Sequence, residues 1–212
     1  MARTADSFRR KESRFRQLPT VLVLCEDLKS GKTYLEDAAL HFRANAKVEI
    51  AHCGVTHPKG IVEHAIGRQS KFDKVFCAFD RDTHESFDEA LRLADTHPKI
   101  TIIASYPCFE FWLLLHFGYS RKPFARSGRH SAGDLVSIDL KEKPGMENYR
   151  KSGAAGYFQK LLGEPFNEAR RQAPRVIADV ARSGDPNPST QIHLLIDEFE
   201  QLAKPLEIIA IG

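Results

Sequence analysis

Four strand-like runs, each followed by a stretch of helical periodicity, constrain the fold of this chain more than any other feature. The runs occupy residues 21–25, 48–52, 74–79 and 100–104. The first run is continuously apolar, as expected of a strand that is buried on both faces of a parallel sheet. Strands that alternate with helices of this length form βαβ units with right-handed crossovers. The sequence therefore predicts an α/β fold, with a Rossmann-like, mainly parallel sheet flanked by helices.

The segments between the strands have the spacing of amphipathic helices. Gly31 opens a stretch that places Tyr34 and Leu35 on one apolar face. Pro58 suits the first turn of a second helix, because proline needs no backbone donor there. Residues 109–117 are so apolar that we expect them to form a buried helix after the fourth strand.

The character of the sequence changes near residue 119. A loop rich in basic residues, glycine and serine continues to about residue 132. Helical patterns then follow at residues 148–162, 166–181 and 188–203. We therefore predict three parts: a basic N-terminal arm (1–18), an α/β core (19–120) and a helical C-terminal extension packed on the core (121–212).

The composition is that of an ordinary globular protein, with 42% hydrophobic and 28% charged residues. No apolar run approaches the roughly 20 residues that a membrane-spanning helix needs. The N-terminus also lacks the apolar segment of a secretion signal. The 4 cysteines form no C-x-x-C pair and lie mostly in or beside apolar runs, which favours buried, reduced thiols over a zinc site. We therefore expect a cytoplasmic protein without membrane contact.

Two clusters of basic residues suggest contact with a nucleic acid, although the net charge is only +3. Lysine and arginine clusters can follow the phosphates of a nucleic acid backbone. A solubilising tail and a solvated loop would explain the same clusters. The residues concerned are Arg9, Arg10, Lys11 and Arg14 in the N-terminal arm, and Arg121, Lys122, Arg126 and Arg129 in the basic loop.

Carboxylates follow two of the predicted strands at the point where each strand ends. Glu26 comes directly after the first run, and Asp80 and Asp82 follow the third. Ligands bind open α/β sheets outside the carboxyl ends of the strands, so these side chains would converge if the strands are neighbours. Hard oxygen ligands without cysteine or a histidine set favour Mg²⁺ or Mn²⁺. Alternatively, an aspartate after a strand simply caps the next helix, as Asp82 would before Glu85.

Glu110 and His84 are further candidates for catalysis. Glu110 lies near the start of the apolar segment 109–117, where an unpaired buried carboxylate would be costly, so we expect a partner or a metal. The alternative is a carboxylate that favours the positive end of a helix. His84 lies close to the aspartates and could contact a phosphate or a water. His116, by contrast, is expected to be a packed, hydrogen-bonded histidine.

Several blocks of this sequence resemble known proteins. A glutamate after the first strand with D-x-D after a later strand is similar to the Toprim domain, the metal-dependent core of topoisomerases, primases and certain nucleases. The resemblance to the RloB-like family is more specific and covers nearly the whole chain. Its blocks are VLCE at residues 23–26, FDRD at 79–82 with His84, PCFEFWLLLHF at 107–117 and NPST at 187–190.

The resemblance implies roles for the acidic residues and a biological setting. Glu26 would match the Toprim glutamate, a metal ligand or general acid/base, and Asp80 and Asp82 would match the metal-binding aspartate pair. Many Toprim motifs have glycine next to the glutamate, whereas the first glycine here is Gly31. Proteins of the RloB-like family are linked to bacterial restriction and anti-phage loci, and this context implies nucleic-acid cleavage.

The sequence therefore favours a Toprim-type nuclease that uses Mg²⁺ or Mn²⁺ to hydrolyse phosphodiester bonds in anti-phage defence. Glu26, Asp80 and Asp82 would hold the metal, with Glu110 and His84 beside them. Cleavage of a host RNA to stop phage growth is one form that such defence takes. The main alternative is a non-catalytic module that binds a nucleic acid or a partner protein in a defence complex. Nucleotidyl transfer is a third possibility, which the lack of a companion polymerase domain disfavours.

Overall fold

One five-stranded sheet organises the structure, with the strand order β2-β1-β3-β4-β5. The computed structural model describes residues 18–42, 46–81, 85–153 and 156–204. The first four strands run parallel, and β5 pairs antiparallel with β4. The predicted α/β fold with a mainly parallel sheet is therefore confirmed. The strands are β1 (Thr20–Cys25), β2 (Lys47–His52), β3 (Lys74–Asp80), β4 (Ile100–Tyr106) and β5 (Ser189–Thr190).

Helices cover both faces of this sheet. The longest, α7, is 20 residues long. Within the described residues, no helix is both long and apolar enough to cross a membrane. The helices are α1 (Ser30–Phe42), α2 (Pro58–Arg68), α3 (Phe87–Asp95), α4 (Glu110–Leu114), α5 (Ala132–Lys141), α6 (Tyr157–Leu161), α7 (Glu164–Ser183) and α8 (Ile192–Ala203).

The alternation of side chains along β1 divides the core into two layers. Val21 and Val23 belong to one buried cluster, whereas Leu22 and Leu24 belong to the other. The cluster around Leu22 is closed by α2 and α3, and the cluster around Val21 by α1, α4 and the C-terminal helices. Because β1 is buried on both sides, its continuous apolar sequence is explained by packing rather than by propensity.

The C-terminal half differs from the prediction in three places. Helix α5 was not predicted; it begins with a capping box in which Ser131 and Asp134 satisfy each other's backbone donors. The helix predicted over 148–162 was wrong, because the described part holds a 3-10 turn at Lys151–Gly153 and the short α6. The helix predicted from residue 188 starts at Ile192, since the preceding residues form β5.

The cysteines lie where the sequence analysis expected them. Cys25, Cys77 and Cys108 are buried, Cys53 is partly buried, and all four are free thiols. Burial raises the pKa of each of the three buried thiols, that of Cys77 to about 12. A thiolate is therefore disfavoured at these positions, and the three buried residues act as small apolar groups in the core.

Candidate functional site

Glu26 and Asp80 meet at the carboxyl edge of the sheet. Strands β1 and β3 are neighbours, with Cys25 paired to Ala78, so the residues that follow both strands reach the same edge. The backbone N–H of Asp80 donates to Glu26 Oε2 at 2.7 Å. The Glu26 N–H in turn donates to the carbonyl of Ala78 at 3.0 Å. The fold thus holds the Glu26 carboxylate against the backbone of Asp80.

Asp80 is fixed from the other side by the segment that leads into α4. Its Oδ1 accepts a hydrogen bond of 2.8 Å from the backbone N–H of Phe109. Burial raises the pKa of Asp80 well above its usual value, and the negative charges of Glu110 and Glu26 raise it further, against a smaller opposing effect of Lys151. The carboxylates of Asp80, Glu110 and Glu26 thus repel one another, and a bound cation would reduce this repulsion.

Asp82 and His84, two of the predicted site residues, lie outside the described residues. Arg81 leads towards them; its guanidinium lies 4.9 Å from the Phe87 ring centre and 5.3 Å from that of Tyr106. In the part of the chain that the structure describes, no three histidine, cysteine, aspartate or glutamate side chains are grouped to hold a metal. The three-carboxylate site that includes Asp82 stays a prediction.

Glu110 is fully buried, with 0% of its surface exposed, and it has partners. Its Oε1 accepts a hydrogen bond from the Tyr149 hydroxyl at 2.8 Å. The Ser30 hydroxyl lies 3.2 Å from the same oxygen and 2.9 Å from Asp27 Oδ2, so its single hydrogen serves one carboxylate at a time. Glu110 Oε2 lies 3.1 Å from Lys151 Nζ. The expected partner of this buried carboxylate is therefore a lysine.

Lys151 and Tyr149 are the site residues that the sequence analysis missed. Burial lowers the pKa of Lys151, but the negative groups around it, led by the Glu110 carboxylate, together raise that pKa by more, so the ammonium stays charged. Burial and the same carboxylate raise the pKa of the Tyr149 hydroxyl, which stays protonated and donates. The sequence signal for this cluster was the isolated Glu110 in an apolar segment. A buried carboxylate needs a cationic partner, but the sequence does not identify that partner.

A pocket of about 380 Å³ opens at this edge of the sheet. Lys151 lines it with a side chain that is 47% exposed. Gly31 also lines the pocket, where an added Cβ would lie 3.5 Å from the Phe109 ring, and it needs no left-handed backbone. The charged and polar residues that surround the pocket include Glu26, Asp27, Lys29, His52, Asp80 and Lys151.

Three lysines, Lys29, Lys32 and Lys59, follow strands β1 and β2 in the chain, and their environments differ. Lys29 is exposed and lines the pocket. Lys32 pairs with Glu36 at 2.5 Å, and Lys59 pairs with Glu89 at 2.7 Å. These two ion pairs lie at the surface, where such contacts contribute little to stability. Lys29 is thus the lysine of this group that the pocket can use.

Among the described residues, the basic side chains expected to contact a nucleic acid have different environments. Arg121 donates to the backbone carbonyls of Pro188 and Asp185, the latter at 2.7 Å, and so fixes the segment before β5. Lys122 pairs with Asp139 at 2.6 Å. Arg126 and Arg129 are exposed and line a second pocket of about 450 Å³ with Tyr106. Arg9, Arg10, Lys11 and Arg14 lie outside the described residues.

His116 is a packed histidine, as the sequence analysis expected. Its Nδ1 lies 3.0 Å from the carbonyl of Trp112, which can only accept, so Nδ1 carries the proton. Its Nε2, 3.2 Å from the Tyr34 hydroxyl, is then the acceptor. Burial lowers the pKa of His116 to about 4. The residue is therefore neutral at physiological pH and lies in the core.

The block at residues 187–190 lies beside the block at 107–117, because β5 contacts α4. Thr190 Oγ1 is 2.8 Å from Ser105 Oγ where β5 pairs with β4. The Asn187 side chain bonds both backbone groups of Phe124, donating to its carbonyl at 2.7 Å and accepting from its N–H at 3.1 Å. The two blocks therefore frame the edge of the sheet that carries Asp80.

Comparison with known proteins identifies a family. The family model described as RloB-like protein matches residues 21–199. No significant match was found among curated proteins or among solved structures. The family match spans every described strand except the first residue of β1, together with the pocket and both blocks at its edge. The chain therefore belongs to the RloB-like family.

Proposed function

We propose that this protein is a metal-dependent nuclease of the Toprim type, which hydrolyses phosphodiester bonds in nucleic acid. The observation that carries the proposal is the meeting of Glu26 and Asp80 at the ends of neighbouring strands, in an open pocket. The raised pKa of Asp80 supports it, because a buried carboxylate that also lies beside other carboxylates is stabilised by a cation.

The donor set fits magnesium or manganese. Mg²⁺ usually keeps several waters and binds through one or two carboxylates plus substrate phosphates, so Glu26 and Asp80 are a sufficient protein contribution. Asp82 would add a third carboxylate. All of these ligands are hard oxygens, and the thiols near the pocket are buried and protonated.

The residues of the chain then have distinct tasks. Asp80, held by the Phe109 N–H, and Glu26, held by the Asp80 N–H, would hold the ion beside the scissile phosphate. A divalent ion bound there would stabilise the charge that develops on this phosphate. Glu26 accepts the proton of the attacking water as the new P–O bond forms. The bond to the leaving oxygen breaks, and that oxygen takes up a proton from the solvent.

The nucleic acid would approach from the exposed side of the pocket. Lys29 lies at this rim, and the N-terminal arm and Arg126 and Arg129 offer further positive charge. Contacts between basic residues and phosphates weaken as salt increases, so binding should depend on ionic strength. A role in anti-phage defence, with cleavage of a host or phage nucleic acid in the cytoplasm, is part of this proposal and follows from the family resemblance.

A second candidate is a binding module without catalysis. It is favoured by the exposed Arg126 and Arg129, because basic side chains can hold a nucleic acid backbone without any catalysis. The same fold would then recognise a nucleic acid or a partner protein, and the acidic pocket would bind a regulatory cation.

One experiment separates the two functions. Purified full-length protein is incubated with labelled single-stranded DNA, duplex DNA and total tRNA, each with Mg²⁺, Mn²⁺ or EDTA. The nuclease proposal predicts cleavage of at least one substrate, and both EDTA and the Asp80→Asn substitution should abolish this cleavage. Asp95→Asn at the exposed end of α3 is the matched control and should cleave normally. Nucleic-acid binding without cleavage by any preparation would favour the module.

A further inference from the structure

A second charged cluster lies beside the proposed metal ligands. Lys151 Nζ is 3.1 Å from Glu110 Oε2, and the same lysine lines the pocket that Glu26 and Asp80 enter. The Lys151 charge is close enough to Asp80 to lower the pKa of that carboxyl against the larger effects that raise it. The two clusters therefore act on the same space.

We propose that the site uses one divalent ion together with the Lys151 ammonium, which donates to a non-bridging oxygen of the scissile phosphate. Glu110 and Tyr149 are positioning residues that hold this ammonium. The inference rests on the proposed nuclease function and adds a catalytic residue to it. No covalent step involves Lys151, which stays protonated throughout.

The partners of Glu110 exclude it as a ligand of a second ion. Its Oε1 receives the Tyr149 hydroxyl, and its Oε2 faces the Lys151 ammonium in a fully buried position. A cation next to Glu110 is thus already supplied by the chain. An ion that displaced Lys151 would also have to lose its waters in a buried position, which magnesium resists.

The partial exposure of Lys151 distinguishes this residue from a lysine that only balances a buried charge. Its side chain is 47% exposed, whereas Glu110 is fully buried, so the ammonium sits between the core and the pocket. An ammonium has three donors, and the contact with Glu110 leaves it able to donate to a phosphate oxygen. Positive donors aimed at developing charge are among the largest contributions to catalysis.

The first measurement counts bound Mn²⁺ on the full-length protein by electron paramagnetic resonance, which requires no turnover. We expect one Mn²⁺ per chain in the wild type and in Lys151→Met, and none in Asp80→Asn. Two Mn²⁺ ions per wild-type chain would overturn the one-ion inference. An absence of Mn²⁺ binding together with an absence of cleavage would reject the proposed function, and the inference with it.

The second measurement compares turnover on the best substrate of the wild type. We expect Lys151→Met to lower kcat by about 10²–10³-fold, as loss of one donor to a developing oxyanion does, with a smaller change in KM. Lys151→Arg should keep part of the activity. Lys141→Met, an exposed lysine at the end of α5, is the control and should match the wild type. Equal turnover by Lys151→Met would overturn the inference alone.

A third variant tests whether Lys151 acts only as a counter-ion of Glu110. Glu110→Gln/Lys151→Met removes both charges, so the melting temperature should recover relative to Lys151→Met while kcat stays low. Recovery of kcat together with stability would show a structural counter-ion and overturn the inference. If the wild type binds Mn²⁺ but cleaves nothing, the test becomes the affinity for a 5′-phosphorylated dinucleotide. We expect Lys151→Met to weaken this binding. Equal binding by the wild type and Lys151→Met would overturn the proposed contact between Lys151 and the phosphate.

Discussion

Asp80 and Glu110 are two acidic residues of one site with opposite electrostatic environments. Glu110 is fully buried, and the fold surrounds it with a hydroxyl donor and an ammonium. Asp80 is partly buried, receives one backbone N–H and is crowded by other carboxylates. The charge of Glu110 is balanced by the chain itself, whereas that of Asp80 is not.

This difference indicates which part of the site is scaffold and which part receives a ligand. A buried charge without a partner costs several kcal/mol, so a fold that is stable before it binds a ligand must balance its deepest charges. Glu110 meets this requirement through Lys151. Asp80 lies at the pocket, where an ion from solution can supply the missing charge. This difference can be tested by removing the positive charge beside Glu110 or by adding a cation beside Asp80.

The largest effect on stability is expected from Lys151→Met, which leaves Glu110 without its cation. Breaking a buried ion pair lowers the free energy of unfolding by about 3–5 kcal/mol. Because Lys151 is half exposed and screened by solvent, we expect a loss of about 3 kcal/mol or less for this variant. Chemical denaturation at pH 7 in EDTA measures the loss. Lys141→Met should leave the free energy of unfolding unchanged. A loss below about 0.5 kcal/mol for Lys151→Met would show that Glu110 does not depend on Lys151.

The next largest effect on stability is expected when a divalent cation binds beside Asp80. A ligand that binds the folded state alone stabilises it by about 2.7 kcal/mol at 100 times its dissociation constant. We therefore expect Mn²⁺ at that excess to raise the melting temperature of the wild type and to leave that of Asp80→Asn unchanged. Asp95→Asn should respond as the wild type does. An equal rise in Asp80→Asn would place the ion elsewhere on the protein.

Features of this site that depend on neighbouring residues in the chain were predictable from the sequence, whereas features that depend on residues far apart were not. The strands were predicted because apolar runs are local, and residues 21–25 became β1 (Thr20–Cys25) with one residue added. The meeting of Glu26 and Asp80 was predictable because parallel strands end at one edge, given that β1 and β3 are neighbours. That adjacency itself is a property of the whole sheet and does not appear in either strand.

The contribution of Lys151 and Tyr149 could not be predicted in the same way. Both come from an irregular segment, and Lys151 begins a 3-10 turn, so no periodicity marks their faces. Their partner Glu110 lies about 40 residues earlier in the chain, as the separation of 39 between Tyr149 and Glu110 shows. Helix α5, in contrast, has a local sequence signal, the capping box of Ser131 and Asp134.

His116 supplies a third case, a buried titratable group that the fold keeps neutral. Its pKa is lowered to about 4 by burial, below the value of about 6.5 for an unfolded chain. The unfolded state therefore takes up a proton first as the pH falls, and stability is lost between about pH 6.5 and pH 4. We expect a loss of about 2 kcal/mol from pH 7 to pH 5. His116→Gln, which keeps one donor and one acceptor but does not titrate, should show a flatter profile in chemical denaturation.

The smallest effect has the opposite sign and concerns Asp80 without metal. Because the pKa of Asp80 is raised in the folded state, its stabilising contribution is present below about pH 4 and is lost as the pH rises through the folded pKa. Asp80→Asn removes this penalty while its side-chain oxygen still accepts from the Phe109 N–H. In EDTA at pH 7 the variant should therefore be more stable than the wild type, by a difference that vanishes towards pH 4. A less stable Asp80→Asn at pH 7 would mean that the ionised carboxylate is already balanced by the chain, and the contrast with Glu110 would be lost.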